Sequence, residues 1–153
     1  MAVTPLKLYK PNAVATVIAA AALNSLTNGS EVEAAYDNST NLDMWCDLIL
    51  AIQYNAGPPA AGIVVAKIYN LRQVDGTNYP TVTSGGLPQE SLLVAALVSQ
   101  APSTSALEYL VAYQIPLFPG NNKFRLSNTS GQTLHASASM FLKIQPYQLG
   151  AGT

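Results

Sequence analysis

The sequence predicts an all-β protein: a jelly-roll-like antiparallel β-sandwich of about eight strands, preceded by an extended amino-terminal arm. Apolar residues alternate with polar ones at period two, short turn signals separate these runs, and no segment gives a clear helix. The chain of 153 residues is long enough for one domain with a substantial core, and an apolar content of 49% argues against disorder.

Residues 1–12, MAVTPLKLYKPN, form the predicted arm, because Pro5 and Pro11 exclude a helix interior and favour extended backbone. An extended apolar arm gains little by docking on its own chain, so we expect it to add a strand to a neighbouring subunit. The arm residues expected at that interface are Leu6, Leu8 and Tyr9.

The sandwich domain is predicted to span residues 13–147, and a flexible tail follows at 148–153. Residues 13–23 fit helical spacing, but their β-branched run favours a strand. Alternation then predicts strands at 31–37, 42–54, 62–71, 91–99, 107–115, 123–128 and 133–145. The last two are expected to form a hairpin around the turn Thr129-Ser-Gly131.

The segment 42–54 alternates over its whole length and is the strongest strand prediction. The face expected to be buried comprises Leu42, Met44, Cys46, Leu48, Leu50, Ile52 and Tyr54. The opposite face comprises Asp43, Trp45, Asp47, Ile49, Ala51 and Gln53. Cys46 is the only cysteine, so no internal disulfide can form and a buried core thiol is expected.

Residues 72–90, RQVDGTNYPTVTSGGLPQE, form a long predicted loop that is rich in glycine and proline. Loops of this length are usually functional or mobile, and Tyr79 is its candidate contact residue. Three glycosylation sequons begin at Asn28, Asn38 and Asn128, and we interpret each one as a turn.

No catalytic constellation emerges from the residues. The single histidine, His135, is expected to be a solvated strand residue, and no G-x-S-x-G motif is present. Asp43 and Asp47 would lie roughly 13 Å apart on a strand, which is too far for a glycosidase pair, and we expect two solvated acids. The sequence therefore predicts no enzyme, no metal site and no cofactor.

The net charge and the hydropathy of the chain limit which partners the protein is expected to bind. The net charge is −1 without a basic stripe, and no apolar run reaches the roughly 18 residues of a membrane span, so neither nucleic acid nor membrane is expected. Residues 13–23 are too short and too poorly flanked for a signal peptide.

Only 10% of residues are charged, and Trp45 and Phe141 fall on faces expected to point outward. Both features favour a surface covered by neighbouring subunits, as in a homo-oligomer.

Several stretches resemble small β-sandwich virion structural proteins of tailed bacteriophages and prophages, from residue 23 onward. The matching stretches are LNSLTNGSEV (23–32), DNSTNLDMWCDLIL (37–50), a Gly-Pro-Pro turn, VDGTNYP (74–80) and PLFPGNNKFRLSNTSGQTLHASASMFLKIQPY (116–147). These are strand and turn signatures, so the resemblance brings no catalytic residues.

The resemblance implies a non-enzymatic virion component made in the host cytoplasm. The leading expectation is a capsid decoration, or cement, protein on the outer shell, with the major capsid protein or other virion subunits as partners. The alternative is a tail or fibre component whose sandwich binds carbohydrate.

Overall fold

The computed structural model of the protein describes residues 10–73, 77–79, 93–102 and 106–148. These residues form strands and one four-residue helix, which confirms the predicted all-β class. In chain order the elements are β1 (Lys10–Pro11), β2 (Ala15–Ala19), α1 (Ala20–Leu23), β3 (Glu31–Asn38), β4 (Trp45–Ile52), β5 (Val64–Arg72), β6 (Leu93–Val98), β7 (Glu108–Pro116), β8 (Gly120–Asn128) and β9 (Phe141–Gln148). No helix in the described ranges is long and apolar enough to span a membrane.

Two antiparallel sheets form the predicted sandwich. Sheet A has the order β1-β9-β4-β7, and β2 pairs with β9 beside β1. Sheet B has the order β3-β8-β5-β6. Each sheet contributes its inner face to one hydrophobic core, and each has an outer face on the opposite side.

Strand β4 runs through the middle of sheet A and supplies much of the core. The predicted inward residues Cys46, Leu48, Leu50 and Ile52 are at most 1% exposed. Asp47 and Gln53 are half-buried, so the predicted difference between the two faces is confirmed here. Each buried side chain of leucine size contributes about 1.5–3 kcal/mol through the hydrophobic effect.

The predicted alternation is wrong before Trp45. Leu42 and Met44 are 53% and 56% exposed, whereas Asp43 between them is fully buried. Leu42 has a φ of 52°, and residues 39–44 form no regular strand, so the period of two does not extend through them. The strand therefore begins at Trp45, and the preceding residues form a turn.

Residues 13–23 contain both of the structures that their sequence allowed. The β-branched part forms β2 along β9, and the alanine-rich part turns into α1. Alanine has the highest helix propensity and isoleucine prefers a strand, so the change of structure follows the change of composition.

The predicted final hairpin is wrong. Strand β8 pairs with β3 and β5 in sheet B, whereas β9 pairs with β4 and β2 in sheet A, so the chain crosses between sheets over residues 129–140. The side-chain amide of Asn128 donates to the carbonyls of Leu26 and Gln132, both at 2.8 Å, and holds this crossing in place. Leu134 and Met140 are buried there without forming a regular strand.

The two ends of the described chain meet at one edge of sheet A. Lys10 and Pro11 pair with Gln148 and Tyr147, and the amide of Asn12 donates to the Pro146 carbonyl at 2.9 Å. The end of the segment 1–12 is thus paired with its own sheet, and Gln148 is the last residue of β9. The arm residues Leu6, Leu8 and Tyr9 lie outside the described residues.

Candidate interaction face

The outer face of sheet A carries a group of apolar side chains that we call the apolar face. Its members are Trp45, Ile49, Tyr109, Val111, Tyr113 and Phe141. Tyr109, Val111 and Tyr113 are 60%, 41% and 70% exposed, and the other three are half-buried. An apolar group that is exposed and contiguous, rather than scattered, is typical of a binding surface.

Strand register makes the apolar face continuous across β9, β4 and β7. Ile49 pairs with Val111 on one side and with Lys143 on the other. Ala51 pairs with Tyr109 and Phe141, whose ring centroids lie 6.3 Å apart at a tilt of 59°. Ala51 is itself fully buried, so a small residue at this position allows the flanking rings to approach each other.

The apolar face carries little charge. Along β4, β7 and β9 the charged side chains that point outward are Asp47 and Lys143. The ammonium of Lys143 lies 4.1 Å from the centroid of the Phe141 ring, where it forms a cation–π contact. Its aliphatic stem adds to the apolar surface while the charged end stays at the ring.

Asp47 fixes an irregularity in β7. The pairing of β4 with β7 shifts between Cys46 and Leu48, and Gln114 has a φ of 58°. The Asp47 carboxylate accepts hydrogen bonds from the Gln114 amide at 3.0 Å and from the Tyr147 hydroxyl at 3.3 Å. A bulge redirects the side chains beside it, and here it presents the adjacent Tyr113 to solvent.

The outer face of sheet B differs in character, and we call it the charged face. Its cross-strand ion pairs join Lys123 to Glu33 at 3.0 Å, and Arg125 to Glu31 at 3.3 Å and to Glu33 at 2.8 Å. Burial raises the pKa of Glu33, but the hydrogen bonds donated by Lys123 and Arg125 outweigh it and hold the pKa below its usual value. The charged side chains of the strands are therefore concentrated on one side of the sandwich.

The predicted site residues do not form one cluster. Trp45 and Phe141 share the apolar face, whereas Tyr79 lies on the opposite side of the molecule, with its ring centroid 4.5 Å from the Lys123 ammonium. Tyr109 and Val111 were not predicted from the sequence, because both faces of segment 107–115 contain apolar residues.

Asp43 is not the solvated acid that the sequence predicted. It is fully buried, its carboxylate accepts a 2.6 Å hydrogen bond from the Asn12 side chain, and its amide donates to the Asn38 side chain at 2.9 Å. Asp47, in contrast, lies at the surface of sheet A. The two acids therefore do not face a common cleft, and Asp43 is a structural acid that joins Asn12 to the turn before β4.

A second buried acid is Glu108, at the start of β7, which is 3% exposed. The hydroxyl of Tyr54 donates to one of its oxygens, and the amide of Gln100 donates to the other. Burial raises the pKa of Tyr54, and the neighbouring Glu108 carboxylate raises it further. Because both faces of segment 107–115 are apolar, the alternation did not predict that Glu108 points inward.

His135 does not lie in a strand. It is half-buried in the crossing between β8 and β9, and its backbone amide donates to the Gln53 carbonyl at 2.8 Å. The predicted solvated strand histidine is therefore wrong. Within the described ranges, no three histidine, cysteine or acidic side chains are grouped as metal ligands would be.

Comparison with known proteins assigns the chain to no family. No family model matches the chain, and no curated protein matches it significantly. Among solved structures, the chain is similar to a β-porphyranase of glycoside hydrolase family 86 from the human gut bacterium Bacteroides plebeius. That match has a TM-score of 0.39 and 12% identity, and it covers 90% of this chain but only 21% of the porphyranase. A likeness this weak carries no argument about function.

Proposed function

We propose that the protein is a non-enzymatic structural subunit of a bacteriophage virion, a capsid decoration protein that docks through its apolar face. The observation that carries the proposal is the contrast between the two outer faces. Three apolar side chains at 41–70% exposure lie on a nearly uncharged sheet, opposite a sheet covered with ion pairs. The sequence resemblance to virion proteins gives the class of partner, which is the major capsid protein or another virion subunit on the capsid surface.

Docking would act by surface burial. An aromatic side chain that moves from solvent into an interface contributes about 2 kcal/mol, and a few such anchors at the centre of an interface supply most of its affinity. A decoration protein binds at many equivalent positions of a lattice, so modest affinity at each contact is multiplied by avidity. No step in this function requires a reacting group.

The proposal is tested by the variant Ile49→Lys, because Ile49 lies in the middle of the apolar face between Val111 and Lys143. The control is Ala35→Glu, which places a charge on an exposed strand position of sheet B, opposite Lys123. Particles of the phage or induced prophage that encodes the protein are purified, and incorporated protein is quantified by mass spectrometry.

We expect Ile49→Lys to reduce incorporation by at least about tenfold, since a lysine at an interface centre loses its hydration. Ala35→Glu should incorporate normally, and thermal melting should show that both variants are folded. The proposal is wrong if the wild-type protein is absent from purified particles, or if Ile49→Lys incorporates like the control.

A second candidate function is carbohydrate binding by a tail or fibre component. The specific observation is Tyr113, which is 70% exposed beside the Asp47 carboxylate and its bound Gln114 amide, so a ring and polar groups lie together. The test is a glycan array with the wild type, Trp45→Ala and Tyr113→Ala. Binding to a glycan that both substitutions abolish would favour this candidate, and absence of any binding would remove it.

A further inference from the structure

The sandwich has four open sheet edges among its described strands, and three of them carry features that oppose pairing with another chain. The edge strand β3 bears Glu31, Glu33 and Asp37. The edge formed by β1 and β2 is short, and its pairing with β9 is irregular. The edge strand β6 has six residues, and its register with β5 shifts twice. Charge, shortness and bulges are the usual means of protecting an edge.

Strand β7 carries this protection only at its carboxyl end, where the bulge at Gln114 and Pro116 lie. It has nine residues and pairs only with β4 among the described strands. Its one charged residue, Glu108, is buried, and its outward side chains are Tyr109, Val111 and Tyr113. The residues from Glu108 to Ala112 pair regularly with β4, and the irregularity at Gln114 lies near the far end. Every second residue of this stretch directs its backbone N–H and C=O away from β4.

We propose that β7 is the interface between two copies of this chain, which pair antiparallel edge to edge about a twofold axis. In this arrangement Val111 faces Val111 of the second copy, and Tyr109 lies opposite Tyr113. Sheet A then continues through both copies, and the two apolar faces join on one side. The inference concerns self-association by a sheet edge, and it does not depend on the proposed function.

The second copy is the favoured occupant because the strand is complementary to itself. From Tyr109 to Tyr113 no charged side chain points outward, so antiparallel superposition brings no like charges together. Aromatic pairs and β-branched pairs across strands stabilise a sheet, and an antiparallel strand pair closes as an isologous dimer rather than a filament.

The first test measures the molar mass of the purified protein by light scattering across a range of concentrations. We expect a dimer of twice the 16.1 kDa chain mass. Val111→Lys should shift the dimer dissociation constant upward by at least about a hundredfold, because two lysines would face each other across the axis. Ala35→Glu on the β3 edge should remain dimeric, as should Ile49→Lys, which lies inside the sheet. A monomeric wild type, or a Val111→Lys variant with the dissociation constant of the wild type, would overturn the proposal.

The second test examines the register. Residues directly opposite in an antiparallel pair have Cα atoms about 4.5–5.5 Å apart, which suits a disulfide. Under mild oxidation, Val111→Cys should form a covalent dimer, and Ala35→Cys should not. The native Cys46 is buried and does not interfere. A dimer that fails to cross-link through Val111→Cys would contradict this edge pairing. Because both tests use purified protein without particles, their failure is distinct from failure of the proposed virion function.

Discussion

Asp43 and Asp47 are four positions apart and have opposite surroundings. Asp43 is fully buried and bound by side chains of Asn12 and Asn38, whereas Asp47 accepts a hydrogen bond from the exposed bulge of β7. Both aspartates thus accept structural hydrogen bonds, Asp43 in the protein interior and Asp47 near the surface. The surroundings differ because Asp43 lies in the irregular segment 39–44, whereas Asp47 lies within the regular strand β4.

Cys46 gives a residue-scale prediction. Burial raises the pKa of its thiol to about 12, with further contributions from Asp47 and Asp43. At pH 8 this lowers the reactive thiolate fraction by about a thousandfold relative to a thiol of ordinary pKa. The fraction rises with pH, so labelling of the native protein should be very slow at pH 8 and slower still at lower pH.

The measurement uses the variant Tyr113→Cys, which carries an exposed thiol in addition to the buried Cys46 thiol. The exposed thiol provides an internal control. A chromogenic thiol reagent should react in two phases of equal amplitude, with the slow phase belonging to Cys46. Rapid labelling of wild-type Cys46 would show that the facing of β4 is misassigned.

Residue burial was predictable from the sequence only where the backbone is regular. Alternation identified Cys46, Leu48 and Leu50 correctly, because a straight strand places every second side chain on one face. It failed at Asp43, where a turn interrupts the period. In β7 the more hydrophobic set, including Tyr109 and Val111, points outward, while Glu108 points inward and is paired with Tyr54. Hydrophobicity alone therefore favours the wrong face of this strand.

At the scale of elements, the sequence located strands better than it located their partners. The segments 31–37 and 107–115 closely match β3 and β7, since strand formation depends on local pattern. The pairing of β8 with β3, and of β9 with β4, depends on contacts between distant parts of the chain. The turn signal at Thr129-Ser-Gly131 predicted a hairpin. In the structure, buried hydrogen bonds hold this segment as the start of a crossing between the two sheets.

Asn128 gives the element-scale prediction, because its side chain holds that crossing. It donates to two carbonyls, accepts from the Ser130 amide and hydroxyl, and is 1% exposed. Asn128→Ala removes these four hydrogen bonds and leaves the buried Ser130 amide without its acceptor, and we expect the free energy of unfolding to fall by about 2–4 kcal/mol. Urea denaturation measures this.

Asn121→Ala is the control on the same strand, since the Asn121 side chain makes one 3.4 Å contact to Gln73. We expect it to change the free energy of unfolding by less than about 0.5 kcal/mol. If the two variants were equally stable, the crossing would be held by packing and not by the hydrogen bonds of Asn128.

In the whole molecule, the few charged residues are distributed unevenly between the outer faces of the two sheets. The ion pairs of Glu31, Glu33, Lys123 and Arg125 lie on sheet B, while the outer face of sheet A is mostly apolar. The sequence predicted a covered surface and named Trp45 and Phe141 for it. It did not indicate that Tyr79 lies on the opposite face, because the arrangement of strands in the two sheets is not a local property.

We propose that a neighbouring virion subunit covers the apolar face of sheet A. Cryo-electron microscopy of purified phage particles tests this proposal. We expect map density for the sandwich on the capsid exterior. Ile49 and Phe141 should lie against another subunit, and the ion pairs of Glu33 should face solvent. A reconstruction in which the sandwich is present with the apolar face open to solvent, or in which the protein is absent from the particle, would contradict it.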